Sequence, residues 1–139
     1  MTNREMDEIV RKQEPLTLPA DRTVKEACGH MHRRRVGAVL VTDAEGRLAG
    51  IFTGRDAVRC LAELPNAHEA RLSEVMTPQP HTIGRRATAI EALRLMNDCG
   101  VRHIPIVEGE KIIGVVSKGD FRGLEHDRLD QETGMWERI

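Results

Sequence analysis

The chain has 139 residues, which is enough for one domain with a substantial core but not for a second domain. Its 21 Lys and Arg residues against 22 Asp and Glu leave a formal charge of −1, so no overall electric field recruits nucleic acid or an anionic membrane. No apolar run approaches the ~20 residues that span a bilayer, and residues 1–8 are too acidic for a signal or transit peptide, so we expect a cytoplasmic protein without membrane contact.

Residue types that support catalysis, metal binding or base stacking are sparse. The three cysteines lack the paired spacing of a disulfide framework or a zinc site, so we interpret them as small buried apolar residues and predict no metal. Two Phe and one Trp are too few aromatic rings for a single-strand binding platform. The sequence contains no GxSxG, HExxH or Walker A segment, which favours a protein that is not an enzyme.

The N-terminal arm carries Met6, Ile9 and Val10 among charged residues. This spacing predicts a short amphipathic helix that lies on the domain or on a partner, or else a frayed terminus. The next residues, 15–19, begin and end with proline and are predicted to be extended.

The first helix of the main body begins at a capping-box pattern formed by Thr23 and Glu26. It ends in three arginines, which complement the negative end of the helix dipole. The apolar run 36–41 is typical of a strand covered on both faces. The returning hairpin strand and a second helix are predicted at residues 48–53 and 55–64.

The second half of the chain follows the same order. Residues 74–83 are predicted to be extended, after a short helix through 69–72, and Thr88 with Glu91 repeats the capping box. The hairpin strands and the last helix are predicted at residues 101–107, 112–116 and 117–125. In the charged tail, Trp136 is a residue type that more often docks on its own domain or on a dimer partner than on a ligand.

These elements form two copies of one pattern. The second copy matches the first at a shift of 65 positions, from 23 to 88, and at a shift of 64 after the hairpin turn, from 50 to 114. Each copy is too small to bury its apolar face alone, so the two should pack as one domain. The predicted boundaries are arm 1–14, repeat 15–65, linker 66–74, repeat 75–125 and tail 126–139.

Both copies place a hydroxyl and a carboxylate where the last strand passes to a helix, as Thr53-x-x-Asp56 and Ser117-x-x-Asp120. An ionised carboxylate can accept hydrogen bonds from both hydroxyls of a ribose, and free N–H groups at a helix start can face a phosphate. The same pattern is also an ordinary helix N-cap. Because the other two helices use Thr-x-x-Glu, the shorter aspartate leads us to expect a carboxylate that points outward.

Two polar residues interrupt the apolar strand of the second copy. Arg102 and His103 must find partners there or face a cleft. For Arg102 the alternative is a sheet edge with the stem buried and the head in water, and His103 suits a phosphate or a backbone carbonyl equally well.

On these residues the chain resembles the tandem CBS-domain family, whose paired cystathionine beta-synthase domains form a Bateman module. The resemblance covers residues 14–122. Its most specific parts are Val75-Met76-Thr77-Pro78, Gly100-Val101-Arg102-His103-Ile104-Pro105-Ile106-Val107 and the twin Gly-x-x-Thr/Ser-x-x-Asp segments. It implies an α/β (α+β) fold of two pseudo-symmetric repeats, each with a mostly three-stranded sheet and two helices, in a homodimer.

In this family, clefts between the repeats commonly bind adenosine-containing ligands, which here implies AMP, ADP or ATP, or else S-adenosylmethionine or NAD(H), with no required cofactor. Copy one departs from the pattern, because Gly37-Ala38-Val39-Leu40 stands where copy two has Arg102-His103-Ile104-Pro105, so we expect unequal occupancy. The resemblance implies ligand binding by Ala38, Val39, Thr53 and Asp56 in copy one, and by Thr82, His103, Ile104, Pro105, Ser117 and Asp120 in copy two. The chemistry of the residues adds Arg55 and Lys118, as nearby cations, and Arg102 as further candidates.

The resemblance implies a regulatory nucleotide sensor that passes a conformational signal to a separate effector protein, with the N-terminal arm or the Trp136 tail as candidate contact surfaces. A first alternative is a ligand-free dimerisation scaffold in which Asp56 and Asp120 only cap helices. A second is a nucleic-acid binder that uses Arg33-Arg34-Arg35, Arg85-Arg86 and Arg102, for which we expect strongly salt-dependent binding.

Overall fold

The computed structural model describes residues 3–121 and divides them into two compact units. Unit one consists of residues 14–80 with 110–112, and unit two of residues 3–13, 81–109 and 113–121. The end of the predicted last helix and the Trp136 tail lie outside the described residues. No helix of the described chain is long and apolar enough to cross a bilayer.

The helices and strands follow the predicted order. In chain order they are α1 (Met6–Val10), β1 (Thr17–Pro19), α2 (Val24–Arg34), β2 (Ala38–Thr42), β3 (Leu48–Thr53), α3 (Gly54–Glu63), a 3-10 turn (Ala67–Glu69), α4 (Leu72–Val75), β4 (Thr77–Pro78), α5 (Ala89–Cys99), β5 (His103–Glu108), β6 (Lys111–Ser117) and a second 3-10 turn (Lys118–Asp120).

Unit one is built on a four-stranded sheet in the order β1-β2-β3-β4. β1 runs parallel to β2, and β2 to β4 pair antiparallel. The four residues 38–41 of β2 are all buried, as their apolar run predicts for a covered strand. The sheet has one strand more than predicted because Thr77 and Pro78 pair with Ile51 and Gly50.

Unit two has a two-stranded sheet, β5 and β6, with Gly109 in the left-handed conformation at the turn between them. Its third strand is reduced to a single parallel bridge between Ile83 and Ile106. That bridge lies 65 positions after the Leu18–Val41 pair of β1 and β2, so the repeat seen in the sequence is also a repeat of strand register.

The helix starts confirm the capping patterns. Thr23 and Thr88 each accept a hydrogen bond from the backbone N–H three residues on, and the carboxylates of Glu26 and Glu91 each accept one from the threonine N–H. The helix ends also correspond. Gly100 follows α5 with a φ of 67°, and Arg35 follows α2 with a φ of 56°, a conformation that favours glycine over a side-chain-bearing residue.

The helix before each copy packs into the other copy's unit. Met6 of α1 is 0% exposed in the core of unit two, and Leu72 of α4 is 0% exposed in the core of unit one. The backbone contacts repeat as well, since Met6 N donates to Ala87 O at 2.7 Å and Leu72 N donates to Arg22 O at 2.8 Å. We call α1 and α4 the exchanged helices. Of the two packed alternatives for the N-terminal arm, the structure selects packing on its own chain.

Each exchanged helix leads into a segment that crosses a glycine on the second strand of a hairpin, Gly50 of β3 or Gly114 of β6. A Cβ on Gly50 would lie 2.4 Å from Met76 Sδ, and one on Gly114 would lie 2.7 Å from Gln13 Oε1 and 2.8 Å from Val10 Cβ. The Gln13 amide is held at both ends, because Nε2 donates to Val115 O at 2.8 Å and Oε1 accepts from Val115 N at 2.6 Å. Glycine therefore permits the close approach at both crossings.

Two local predictions in the linker are wrong. Residues 69–72 do not form one short helix, and residues 74–83 are not extended throughout, because α4 occupies 72–75. Leu72 and Val75 lie three apart and both are buried, which favours a helical turn over an extended segment. Glu74 accepts from Arg71 N at 3.2 Å and so stabilises the start of that turn.

Candidate functional site

Each hairpin brings its first and last residues together beside the start of the following helix or turn. In unit two, Lys118 N donates to Arg102 O at 2.9 Å, and in unit one Gly54 N donates to Gly37 O at 3.2 Å. The predicted ligand residues of each copy, which are far apart in the sequence, therefore lie in one neighbourhood at the same end of each hairpin.

Asp56 turns one carboxylate oxygen inward. Its Oδ2 accepts from Thr53 N at 2.9 Å and from Thr53 Oγ1 at 3.1 Å, and Asp56 N donates back to Thr53 Oγ1 at 3.4 Å. This is the same reciprocal cap that Thr23 and Glu26 form on α2. The expectation that the shorter side chain points away from the cap is wrong, because the unpaired N–H at the helix start lies within its reach.

Asp120 forms the corresponding contacts in copy two. Its Oδ2 accepts from Ser117 N at 2.7 Å and from Ser117 Oγ at 3.3 Å. Asp120 is exposed and Lys118 is half-buried. Within residues 3–121, no side chain donates a hydrogen bond to the other oxygen of Asp120, Oδ1.

Asp56 differs from Asp120 at the second oxygen. Its Oδ1 lies 3.4 Å from Nη2 of Arg59, and the same Nη2 donates to Val75 O at 2.9 Å. The side chain of Asp56 is only 15% exposed. In copy one, therefore, both carboxylate oxygens already have protein partners.

The other predicted ligand-binding residues differ in how far they are exposed. Ile83 N donates to Pro105 O at 3.2 Å, which puts the exposed Thr82 beside that part of β5. Arg102 is exposed and precedes β5, so it is not inside the strand as predicted. Of the remaining candidates, Ile104 and Val39 are 0% exposed and Ala38 is 4% exposed, so their side chains are not accessible at the surface. Pro105 is also buried, and Arg55 is exposed.

His103, at the start of β5, is half-buried. Burial lowers the pKa of its imidazole below the ordinary value, the Asp120 carboxylate partly offsets this, and the nearby Arg102 lowers the pKa further. The imidazole is therefore neutral at neutral pH, and can both donate and accept a hydrogen bond.

This lowered pKa predicts a contribution of His103 to the pH dependence of stability. The unfolded chain has the histidine pKa of about 6.5, so below that pH it takes up the proton before the folded protein does. The stabilisation linked to His103 is fully present above pH ~6.5, and it is lost as the pH falls through the lower pKa that His103 has in the folded protein. We expect His103→Gln to lose less stability than the wild type between pH 7.5 and 5.5, measured by urea unfolding.

The matched control is His81→Gln, which removes an exposed histidine of the same unit. It should keep the wild-type fall in stability with pH. If His103→Gln also keeps the full fall, the buried imidazole does not carry the effect.

Metal ligands and thiols add nothing to the site. Within residues 3–121 no three His, Cys, Asp or Glu side chains come together as a group that could hold a metal ion. The three cysteines are free. Cys60 is buried as expected, whereas Cys28 and Cys99 are only half-buried. Burial raises the pKa of the Cys28 and Cys60 thiols, so neither is an activated nucleophile.

Sequence reasoning missed two arginines at these sites. Arg4 of the N-terminal arm donates from Nη2 to Asp120 O at 3.0 Å, and Arg59 contacts Asp56 in copy one. Nothing local in the sequence pairs residue 4 with residue 120. For Arg59 a signal did exist, because the position 64 residues later is Gly123 and the two copies therefore differ in charge there.

A family model of the CBS domain matches the chain twice, over residues 6–63 and 72–127. The CBS domain-containing protein CBSCBSPB1 of Arabidopsis thaliana is 39% identical over 108 residues, which are 77% of this chain and 20% of that protein. The chain thus spans about a fifth of the length of the plant relatives it matches.

Two solved structures share the fold. The CBS-domain containing protein ATU1752 from Agrobacterium tumefaciens has a TM-score of 0.79 at 29% identity, over 86% of this chain and 91% of that chain. The CBS domain protein PAE2072 from Pyrobaculum aerophilum, complexed with AMP, has a TM-score of 0.82 at 22% identity, over 91% of this chain and 98% of that chain. At that identity the second likeness shows the fold alone.

Proposed function

The chain belongs to the CBS-domain family, and from that membership we propose that it is a regulatory module that binds an adenosine-containing ligand at copy two. The observation that carries the proposal is the Asp120 carboxylate. One oxygen completes the Ser117 cap, the other has no side-chain donor within the described residues, and the exposed Asp120 lies near the neutral, half-buried His103. An ionised carboxylate oxygen without a protein donor can accept the hydrogen bonds that adjacent ribose hydroxyls donate.

The surrounding groups support the same ligand class. Lys118 and Arg102 supply cations for a phosphate, and their backbones are joined by the 2.9 Å hydrogen bond at the base of the hairpin. The Arg4 guanidinium, held on Asp120 O, adds a third positive charge. The AMP found in the Pyrobaculum protein makes adenosine ligands the class to test, and AMP, ADP, ATP, S-adenosylmethionine and NADH are the members.

As a regulator, the module acts by binding its ligand more tightly in one arrangement than in another, since only such a difference can shift a conformational equilibrium. In this proposal the signal passes to a separate effector protein, the functional state is a homodimer, and the chain needs neither a catalytic residue nor a cofactor.

The test is isothermal titration of the protein with the five ligands, alongside Asp120→Asn. Asparagine keeps an oxygen that can accept from Ser117 N, so the cap and the fold are retained while the charge is lost. We expect one ligand to bind the wild type and Asp120→Asn to bind it ~10- to 100-fold more weakly, the range for a charged hydrogen bond of about 1.5–3 kcal/mol.

The matched control is Asp98→Asn, which removes an exposed carboxylate from α5 of the same unit and should leave affinity unchanged. Equal binding by wild type and Asp120→Asn would contradict the assignment of the site. A second variant, Asp120→Ala, removes both the charge and the cap, and should bind no better than Asp120→Asn.

One observation favours a second candidate function, a ligand-free dimerisation scaffold. Both Asp56 and Asp120 complete helix caps, and capping alone accounts for an aspartate at each position. If none of the five ligands produces heat, and Asp120→Ala loses only about 1 kcal/mol of stability, the scaffold function is the better explanation.

A further inference from the structure

We propose that Arg59 holds the copy-one site closed, so that the chain binds one ligand and replacement of this single residue opens a second site. The inference rests on the proposed function, because it assumes that copy two binds an adenosine-containing ligand. It adds a residue that sets how many ligands the chain takes, which the family resemblance does not assign.

The first step concerns the acceptors that remain on Asp56. Oδ2 is engaged by the N–H and hydroxyl of Thr53, and Oδ1 lies 3.4 Å from Arg59 Nη2. A ribose would have to displace one of these contacts. The helix cap is the harder one to displace, because it consists of two hydrogen bonds of 2.9 and 3.1 Å to Thr53, against a single contact of 3.4 Å to Arg59. Arg59 is therefore the group that competes with a ligand.

The second step concerns what holds Arg59 in place. Nη2 donates to Val75 O at 2.9 Å, and Val75 is the last residue of α4, a helix of only four residues. The carbonyl groups at the end of so short a helix lack partners within it, so Arg59 satisfies an acceptor that would otherwise depend on solvent. The guanidinium thus has two anchors, a carboxylate and a carbonyl, and the carboxylate is covered to 15% exposure.

The third step is the comparison between copies. The position that corresponds to Arg59 at the shift of 64 is Gly123, which has no side chain to place on Asp120. Asp120 is exposed, and within the described residues its Oδ1 has no side-chain donor. The two copies share the cap but differ in the group that would block a ribose.

The experiment is isothermal titration of wild type and Arg59→Ala with the ligand that copy two binds. We expect a stoichiometry of one ligand per chain for the wild type and two for Arg59→Ala. Alanine is the best helix former, so α3 should be retained. Arg59→Met is the second variant, since it keeps an unbranched side chain that suits a helix but has neither the charge nor an N–H donor, and it should also open the site.

Two further variants make the result specific. Arg59→Ala combined with Asp56→Asn should return to one ligand, because the new site loses its ribose acceptor. Lys25→Ala removes an exposed cation from α2 of the same unit and should still bind one ligand per chain. A second site in Lys25→Ala would mean that net charge, and not the Arg59 contact, controls occupancy.

The outcomes separate this inference from the proposed function. If wild type binds one ligand at copy two and both Arg59 variants still bind one, the Arg59 inference is overturned and the proposed function stands. If the wild type binds two ligands per chain, the Arg59 inference is likewise overturned and the proposed function stands. If no protein binds any of the five ligands, both fail together.

Discussion

Truncation of Met6 to alanine should lower the free energy of unfolding by about 2–5 kcal/mol, the cost of a large-to-small change inside a core. The residue lies near the N-terminus, where substitutions are usually tolerated. Here it is 0% exposed and belongs to the same buried cluster as Leu93, Met96 and Ile104. The lost contacts and the cavity left among these side chains both contribute to the expected effect.

Urea unfolding of Met6→Ala beside Glu8→Ala checks this expectation. Glu8 is exposed on the same short helix, so its removal should change stability by no more than about 0.5 kcal/mol. Equal midpoints for the two variants would show that α1 is not an integral part of the core of unit two.

Replacement of Gly114 by alanine should destabilise the protein by about 1–3 kcal/mol through overpacking. The added methyl group would lie 2.7 Å from Gln13 Oε1, 2.8 Å from Val10 Cβ and 3.0 Å from Val10 Cγ1. Gln13 cannot swing away without breaking its two hydrogen bonds to Val115, and Val10 is 2% exposed and packed. Neither Gln13 nor Val10 can therefore move aside to relieve the steric clash.

The control for this change is Gly54→Ala at the start of α3. A Cβ there meets no atom within 4 Å, so alanine should be neutral or stabilise by up to about 1 kcal/mol through the unfolded chain. Thermal or urea unfolding measures both variants. If Gly114→Ala loses no more stability than Gly54→Ala, the close crossing of the N-terminal arm over β6 is contradicted.

The sequence predicts those features that depend on neighbours along the chain. The capping boxes at Thr23 and Thr88 are set by residues three apart, and the buried strand at 38–41 by a continuous apolar run. The family resemblance, drawn from motifs of the same local kind, is confirmed by the double match to the CBS domain. The α/β fold is confirmed with it.

The features that the sequence does not predict depend on distant contacts or on side-chain direction. Periodicity indicates an amphipathic α1, but it cannot indicate that the buried face packs against residues more than 80 positions later. The direction of the Asp56 carboxylate is set by the cap at Oδ2 and by Arg59 at Oδ1, and the pattern Thr-x-x-Asp does not reveal either contact. The split of Glu69–Val75 into two short turns depends on burial of Leu72 and Val75.

The exchange of α1 and α4 fixes an order in which the protein can fold while it is being synthesised. Unit one is almost continuous in the chain, residues 14–80, so its core can close as soon as that stretch has left the ribosome. Unit two needs residues 3–13 as well as 81–109 and 113–121. Residues 3–13 are therefore synthesised about a hundred residues before the rest of their core is complete, and at ~5–20 residues per second their apolar face stays uncovered for ~5–20 seconds. During that interval Met6 and Val10 are exposed to chaperones and to other nascent chains.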